Sequence, residues 1–204
     1  DQIAKAVQAR NLVPVIDFAY QGLAVGIDED AYAVRQFAQP GNELLVCSSF
    51  STNFGLYRER VGALTVVGKD AEAAQKAFSN VKIAIRQNYS NPYCHGGAIV
   101  TTILNDAALT AEWREEVAAI RNRIHETRTL FVETLKAKGI QRDFSFITRQ
   151  YGMFSFSGLT DAQVAALRDR YAIYMVGGGR MNVAGMTRQN MDLLCESVAE
   201  VLAG

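Results

Sequence analysis

The sequence predicts an α/β protein: part of a mainly parallel sheet, then a small α+β domain, the two joined by one long helix. Three observations carry this. Apolar runs of strand length occupy residues 12–17, 43–47 and 63–67, with a helical segment between the first two. Strand, helix and strand in that order imply parallel pairing. Between residues 110 and 138, Trp113, Val117, Ile120, Ile124, Phe131 and Leu135 form one stripe of an amphipathic helix. Past Gly139 the texture changes to short runs rich in large apolar residues. Residues 1–110 are therefore assigned to the sheet domain, and residues 111–204, long helix included, to the small domain.

Taken in order, residues 2–10 read as a helix with Ile3, Ala4 and Val7 on one side. Pro14 confines the first strand candidate to an edge or to a strand start. Asp17 closes that run, at the end of a strand where open α/β sheets bind ligands. Residues 28–38 give a short helix, which Pro40, Gly41 and Asn42 break. The third strand ends near Val67. Lys69 and Asp70 then lead into a helix through residue 87, with Ala74, Ala77, Phe78, Val81 and Ile85 at helical spacings. A small-residue helix follows from His95 to Leu104, and the long helix stops at Gly139. In the last third, residues 151–156 read as a strand and 160–171 as a helix. Two strands at 173–176 and 180–184 flank Gly177, Gly178 and Gly179, and 186–203 is a closing helix with Met191, Leu194, Val198 and Val201 inward. Three strands make a marginal parallel sheet, because both of its faces need cover.

Composition excludes several classes. Formal net charge is zero and no run of one sign occurs, so there is no electrostatic footprint for nucleic acid or a membrane surface. No apolar stretch is long enough for a membrane span, and residues 1–5 lack a signal-peptide pattern. Cys47, Cys94 and Cys195 stand far apart in largely apolar contexts and form no metal spacing with His95 or His125. They read as buried reduced thiols, hence an intracellular protein with no metal site.

The stretch from Ser48 to Gly62 lies between two apolar runs and is rich in small hydroxyl residues, with Gly55 and Arg60. Its composition suits a polar loop between strands, or a turn where backbone and hydroxyls approach an anion. The order Ser49-Phe50-Ser51-x-Asn53-Phe54-Gly55-Leu56-Tyr57-x-Glu59-Arg60-x-Gly62 resembles the cofactor-lysine segment of the aspartate and aromatic amino-acid aminotransferases, pyridoxal-phosphate enzymes of fold type I. The resemblance extends over the whole chain as the C-terminal half of the family's length. It implies a large cofactor-binding domain in residues 1–110, a cytoplasmic homodimer, and amino-acid and 2-oxo-acid substrates. Organellar import stays open.

It also implies roles. Asp17 would keep the cofactor's pyridine nitrogen protonated, as a buried carboxylate does. Ala19 would back the ring and Tyr20 would hydrogen-bond its phenolic oxygen. Ser49 and Arg60 would hold the phosphate. Arg180 would take the substrate α-carboxylate through its planar fork, with Phe154 lining the same pocket. Arg86 would receive a side-chain carboxylate in the partner subunit's site. Read without the resemblance, Asp17 is a strand-end acid, Arg86 a solvated helix-end cation and Phe154 core packing.

One position departs. Where the family carries the lysine that forms the Schiff base, this chain has Thr52. A threonine hydroxyl neither forms an imine nor serves as a base near neutral pH. Three origins fit: a deliberate lysine replacement, a naturally degenerate homologue, or an altered form of an active enzyme. The otherwise intact ligand positions favour the last. Two functions follow, an aminotransferase and, alternatively, a non-catalytic protein that binds dicarboxylates or acts as a dimer module.

Overall fold

A computed structural model describes residues 1–203. The chain divides into two compact units, one from Asp1 to Ala118 and the other starting at Ala119.

The first unit opens with helix α1 (Gln2–Ala9) and strand β1 (Val15–Phe18). Pro14, which has no N–H to give a ladder, sits just before β1, and its carbonyl accepts from Leu45 N at 3.0 Å. Helix α2 (Tyr32–Phe37) crosses to β2 (Leu44–Ser49), which lies parallel to β1. Strand β3 (Gly62–Val67) returns antiparallel to β2, so the sheet is mixed, in the order β1-β2-β3. Asp70 caps helix α3 (Ala71–Asn88), its Oδ1 accepting from Ala73 N at 2.7 Å. Helix α4 (Cys94–Asn105) follows, and α5 runs unbroken from Ala107 to Ala137, so its first turns belong to this unit and the rest to the second.

Alternation along the strands gives the sheet two unlike faces. Leu44 and Val46 are buried on one, beside half-buried Ile16 and Phe18. Val15, Asp17, Cys47 and Leu64 are exposed on the other. The thiols therefore differ from expectation. Cys47 alternates onto the open face and Cys94 lies in the first turn of α4, so both are exposed, and only Cys195 is buried. Burial pushes the Cys195 thiol up to about 12.

In the second unit α5 ends in a Schellman turn, with Gly139 N donating to Lys136 O at 3.0 Å and Ile140 N to Leu135 O at 3.3 Å. Gly139 takes the left-handed φ of 79° that this turn requires. A 3-10 turn spans Ser145–Arg149, and β4 (Phe154–Phe156) precedes helix α6 (Asp161–Tyr171). Thr160 and Gln163 close a reciprocal capping box on α6. Strand β5 (Arg180–Asn182) pairs antiparallel with β4, and α7 (Arg188–Ala203) closes the unit. Residues 173–176 do not form the expected hairpin strand. The triple glycine turns the chain away, leaving a single Val176–Arg180 bridge, while β5 takes β4 as its neighbour instead. One apolar cluster runs through this unit, from Phe131 and Leu135 on α5 through Leu167 on α6 to Cys195, Val198 and Val201 on α7.

Among the described residues, no helix is long and apolar enough to cross a membrane, and no three His, Cys, Asp or Glu side chains converge on a metal-sized site.

Candidate active site

The parallel register sets Asp17 beside Cys47 and Phe18 beside Ser48, so the carboxyl ends of β1 and β2 lie together. Asp17, Cys47 and Ser49 share one face, since side chains alternate. Asp17 is exposed there, Ser49 half-buried. The loop between β2 and β3 closes on itself, with Phe50 N donating to Val61 O at 3.2 Å and Gly55 N to Thr52 O at 3.3 Å. Thr52 is half-buried in the first turn of this loop. Ser49 Oγ accepts from Ser51 N at 3.2 Å. Arg60 stands in the second turn, exposed, with a left-handed φ of 51° that non-glycine residues adopt rarely. Its guanidinium donates to Tyr57 O at 2.8 Å.

Asn53 fixes this loop. It is 5% exposed, its Nδ2 donates to Gln21 O at 3.3 Å, and its carbonyl accepts from Trp113 Nε1 on α5 at 2.7 Å. Phe54 stacks on the Trp113 ring, with centroids 4.5 Å apart. Asn53 Oδ1 is a buried side-chain oxygen with no partner.

The segment after β1 carries Ala19, half-buried, and Tyr20, exposed. Its conformation is set by a residue that the sequence reading passed over. The Asp30 carboxylate accepts from Gly22 N at 2.8 Å, Ala24 N at 3.0 Å, Val25 N at 2.9 Å and Gly26 N at 3.4 Å. A ring of backbone N–H groups is thereby filled by an internal anion. Gly22 (φ 93°) permits the close approach: a Cβ there would come within 2.6 Å of Val117 on α5.

In the second unit, Arg180 is half-buried and lies with its guanidinium carbon 4.0 Å from the centre of the Phe154 ring. The two residues line a cleft of about 350 Å³ with Tyr174, Val176, Asn182 and Leu193. The backbone before Arg180 is tied down: Gly179 O accepts from Ser157 N at 2.9 Å and from Ser157 Oγ at 2.8 Å, and Gly178 N donates to Asp161 at 2.8 Å. No carboxylate among the described residues forms an ion pair with Arg180.

Arg128 also escaped the sequence reading. It takes a place in the buried stripe of α5, between Ile124 and Phe131, and is 1% exposed. Burial pulls its guanidinium below the usual arginine range. The signal that could have revealed it is the charge at a stripe position. Arg86, in contrast, is exposed in the last turn of α3 and makes no ion pair among the described residues. His95 Nδ1 lies 2.8 Å from Glu59 Oε2, and His125 is exposed.

The sequence profile of the family "Aminotransferase class I and II" matches residues 1–198. The chain is 57% identical over 198 residues to an aspartate aminotransferase of Haemophilus influenzae, covering 97% of this chain and 50% of the relative. It is 54% identical over 200 residues to an aspartate aminotransferase of Escherichia coli, covering 98% of this chain and 50% of that one. The crystal structure of an aromatic-amino-acid aminotransferase from Burkholderia pseudomallei, covalently bound to pyridoxal phosphate, is similar with a TM-score of 0.95 at 49% identity. That match covers 98% of this chain and 50% of the other. The chain thus spans about half the length of the curated relatives it matches.

Proposed function

The chain belongs to the class I and II aminotransferases, and on that premise we propose that it serves pyridoxal-phosphate-dependent transamination between aspartate or an aromatic amino acid and a 2-oxo acid. It would do so as part of a protein of the relatives' length. One observation carries this reading most directly: Arg180, seated on Phe154 in an apolar-walled cleft, has no acid of the chain's described residues bound to it. A half-buried planar fork with no ion-pair partner among the described residues is suited to receive a carboxylate from a ligand.

The donor set of the first unit fits the non-covalent needs of the cofactor. A hydroxyl and a guanidinium, Ser49 and Arg60, would hold its phosphate. Tyr20 would donate to its phenolic oxygen, Ala19 would pack behind the ring, and the Asp17 carboxylate would keep the ring nitrogen protonated. Pyridoxal phosphate supplies an electron sink for the bonds at the substrate's α-carbon. Arg180 would orient the substrate through its α-carboxylate. Arg86, without an ion pair among the described residues and on an exposed helix end, would reach a side-chain carboxylate in the partner subunit's site of a homodimer. We place residues 1–110 in the cofactor domain, residues 111–204 in the small domain, and the protein in the cytoplasm.

Covalent attachment at position 52 does not fit. Thr52 offers no amine, and its hydroxyl does not take a proton from the substrate's α-carbon near neutral pH. Loss of a positioned base alone costs on the order of 100- to 10,000-fold in rate. The test is spectroscopic. With pyridoxal phosphate and then borohydride, this chain keeps its intact mass and shows only free-cofactor absorbance. In a protein of the relatives' length, Thr52→Lys gives a protein-bound band that shifts on adding aspartate or tyrosine, and turnover rises by at least roughly 100-fold. A full-length Thr52→Lys protein whose spectrum ignores both amino acids would sink the reading in favour of a non-catalytic binding protein.

A further inference from the structure

Among the described residues Arg128 makes four hydrogen bonds and no ion pair. Its guanidinium donates to Gly152 O at 2.6 Å, Phe154 O at 2.8 Å, Ile147 O at 3.4 Å and, in a short contact, to Ser155 Oγ. No carboxylate among the described residues pairs with it. A charge buried without a counter-charge is destabilising, and an apolar residue at this stripe position would avoid the penalty. What the guanidinium adds is geometry. A rigid planar fork fixes the directions of the carbonyls it binds, and three of its four acceptors fall within residues 152–155.

Those residues carry Phe154, and the face of the Phe154 ring carries the Arg180 guanidinium at 4.0 Å. The backbone of Arg180 is held through Gly179 and by the β4–β5 register that sets it opposite Phe156. The direction of its side chain depends on where the Phe154 ring stands. We propose that Arg128 is the positioning residue of Arg180: it clamps the Gly152–Ser155 segment and so sets the ring on which Arg180 is seated. Arg128 does not touch the ligand in this scheme. The proposal rests on Arg180 as the carboxylate anchor, and it adds a second arginine, one side chain removed, on which the anchor's aim depends.

The experiment follows the Arg180 side-chain Nε–Hε signal by NMR in the 204-residue chain, where ring current from Phe154 displaces it. Arg128→Lys keeps the charge and removes the fork. It is expected to move the Arg180 signal toward the unstacked position without any ligand, and to weaken the response to added 2-oxoglutarate roughly tenfold, the scale of one charge-assisted hydrogen bond. Leu167→Ala, a lesion of the same core away from the clamp, is expected to leave the signal in place. An Arg180 signal unmoved in Arg128→Lys, or moved as far by Leu167→Ala, would overturn the proposal. Should Arg128→Lys lose its tertiary fold, Ser155→Ala, which deletes one acceptor and keeps Arg128, is expected to give a smaller displacement in the same direction, and none would overturn it. A wild-type signal that ignores 2-oxoglutarate overturns the carboxylate reading instead, and the ligand-free displacement still decides the role of Arg128.

Discussion

Charged side chains in this chain do their structural work from positions that look ordinary in sequence. Asp30 falls within residues 28–38, which read from sequence as a short helix, yet its carboxylate gathers four backbone N–H groups of the segment that follows Tyr20. Asp30→Asn keeps the shape but turns an amide NH2 toward N–H donors. It is expected to cost about 1–3 kcal/mol, read as a lower midpoint in urea, and to loosen the segment that presents Tyr20. A midpoint within error of wild type would show that water replaces the carboxylate without loss. The residue scale is also where the sequence was least informative. The motifs around Asp17, Ser49, Arg60 and Arg180 single those four residues out in the sequence. Arg128 showed only as a charge at a stripe position, and Asp30 not at all, because the chain's return from residues 152–155 or 22–26 supplies the partners that give each its role.

Elements were legible where local chemistry determines them. Asp70 before α3, Thr160 before α6 and Gly139 after α5 all mark true ends, since caps and left-handed turns are decided within a few residues. The strand at residues 173–176 failed for the opposite reason. Its apolar residues have strand character, but the 3-10 turn of Gly177–Gly179 lets only Val176 bridge to Arg180. The hydrogen bond from Gly178 N to Asp161 ties the triple-glycine turn to the first turn of α6. Thr160→Ala removes one half of the α6 capping box and is expected to destabilise the second unit by about 1 kcal/mol, measured as a shift in its denaturant midpoint. Thr160→Ser, which keeps the acceptor, is expected to recover most of the loss. Equal losses for both would assign the effect to packing of the threonine methyl instead.

At the scale of the whole chain, the two units are unequal in what holds them. The buried apolar residues of the first are Leu23, Leu44, Val46, Val100 and Val117, and α3 contributes none across its whole length. One face of its sheet leaves Val15 and Leu64 at 64% and 46% exposure. The second unit has the continuous cluster from Phe131 to Val201. Ordering a residue's backbone costs roughly 1–2 kcal/mol, and apolar burial must offset it, so local stability should follow this division. Native-state hydrogen exchange is therefore expected to protect the amides of α6, α7 and the Ile124–Leu135 part of α5 strongly. Those of α3 and β3 should exchange fast, with the protection along α5 rising from its first turns to its last. Uniform protection along the chain would mean that the open sheet face is covered in solution, and the same run at several protein concentrations would identify a second copy as the cover if protection of Val15 and Leu64 grew with concentration. Fast exchange in the first unit at every concentration would instead assign its missing cover to sequence of the kind that makes the relatives twice as long, and would predict that this unit gains protection only in a protein of that length.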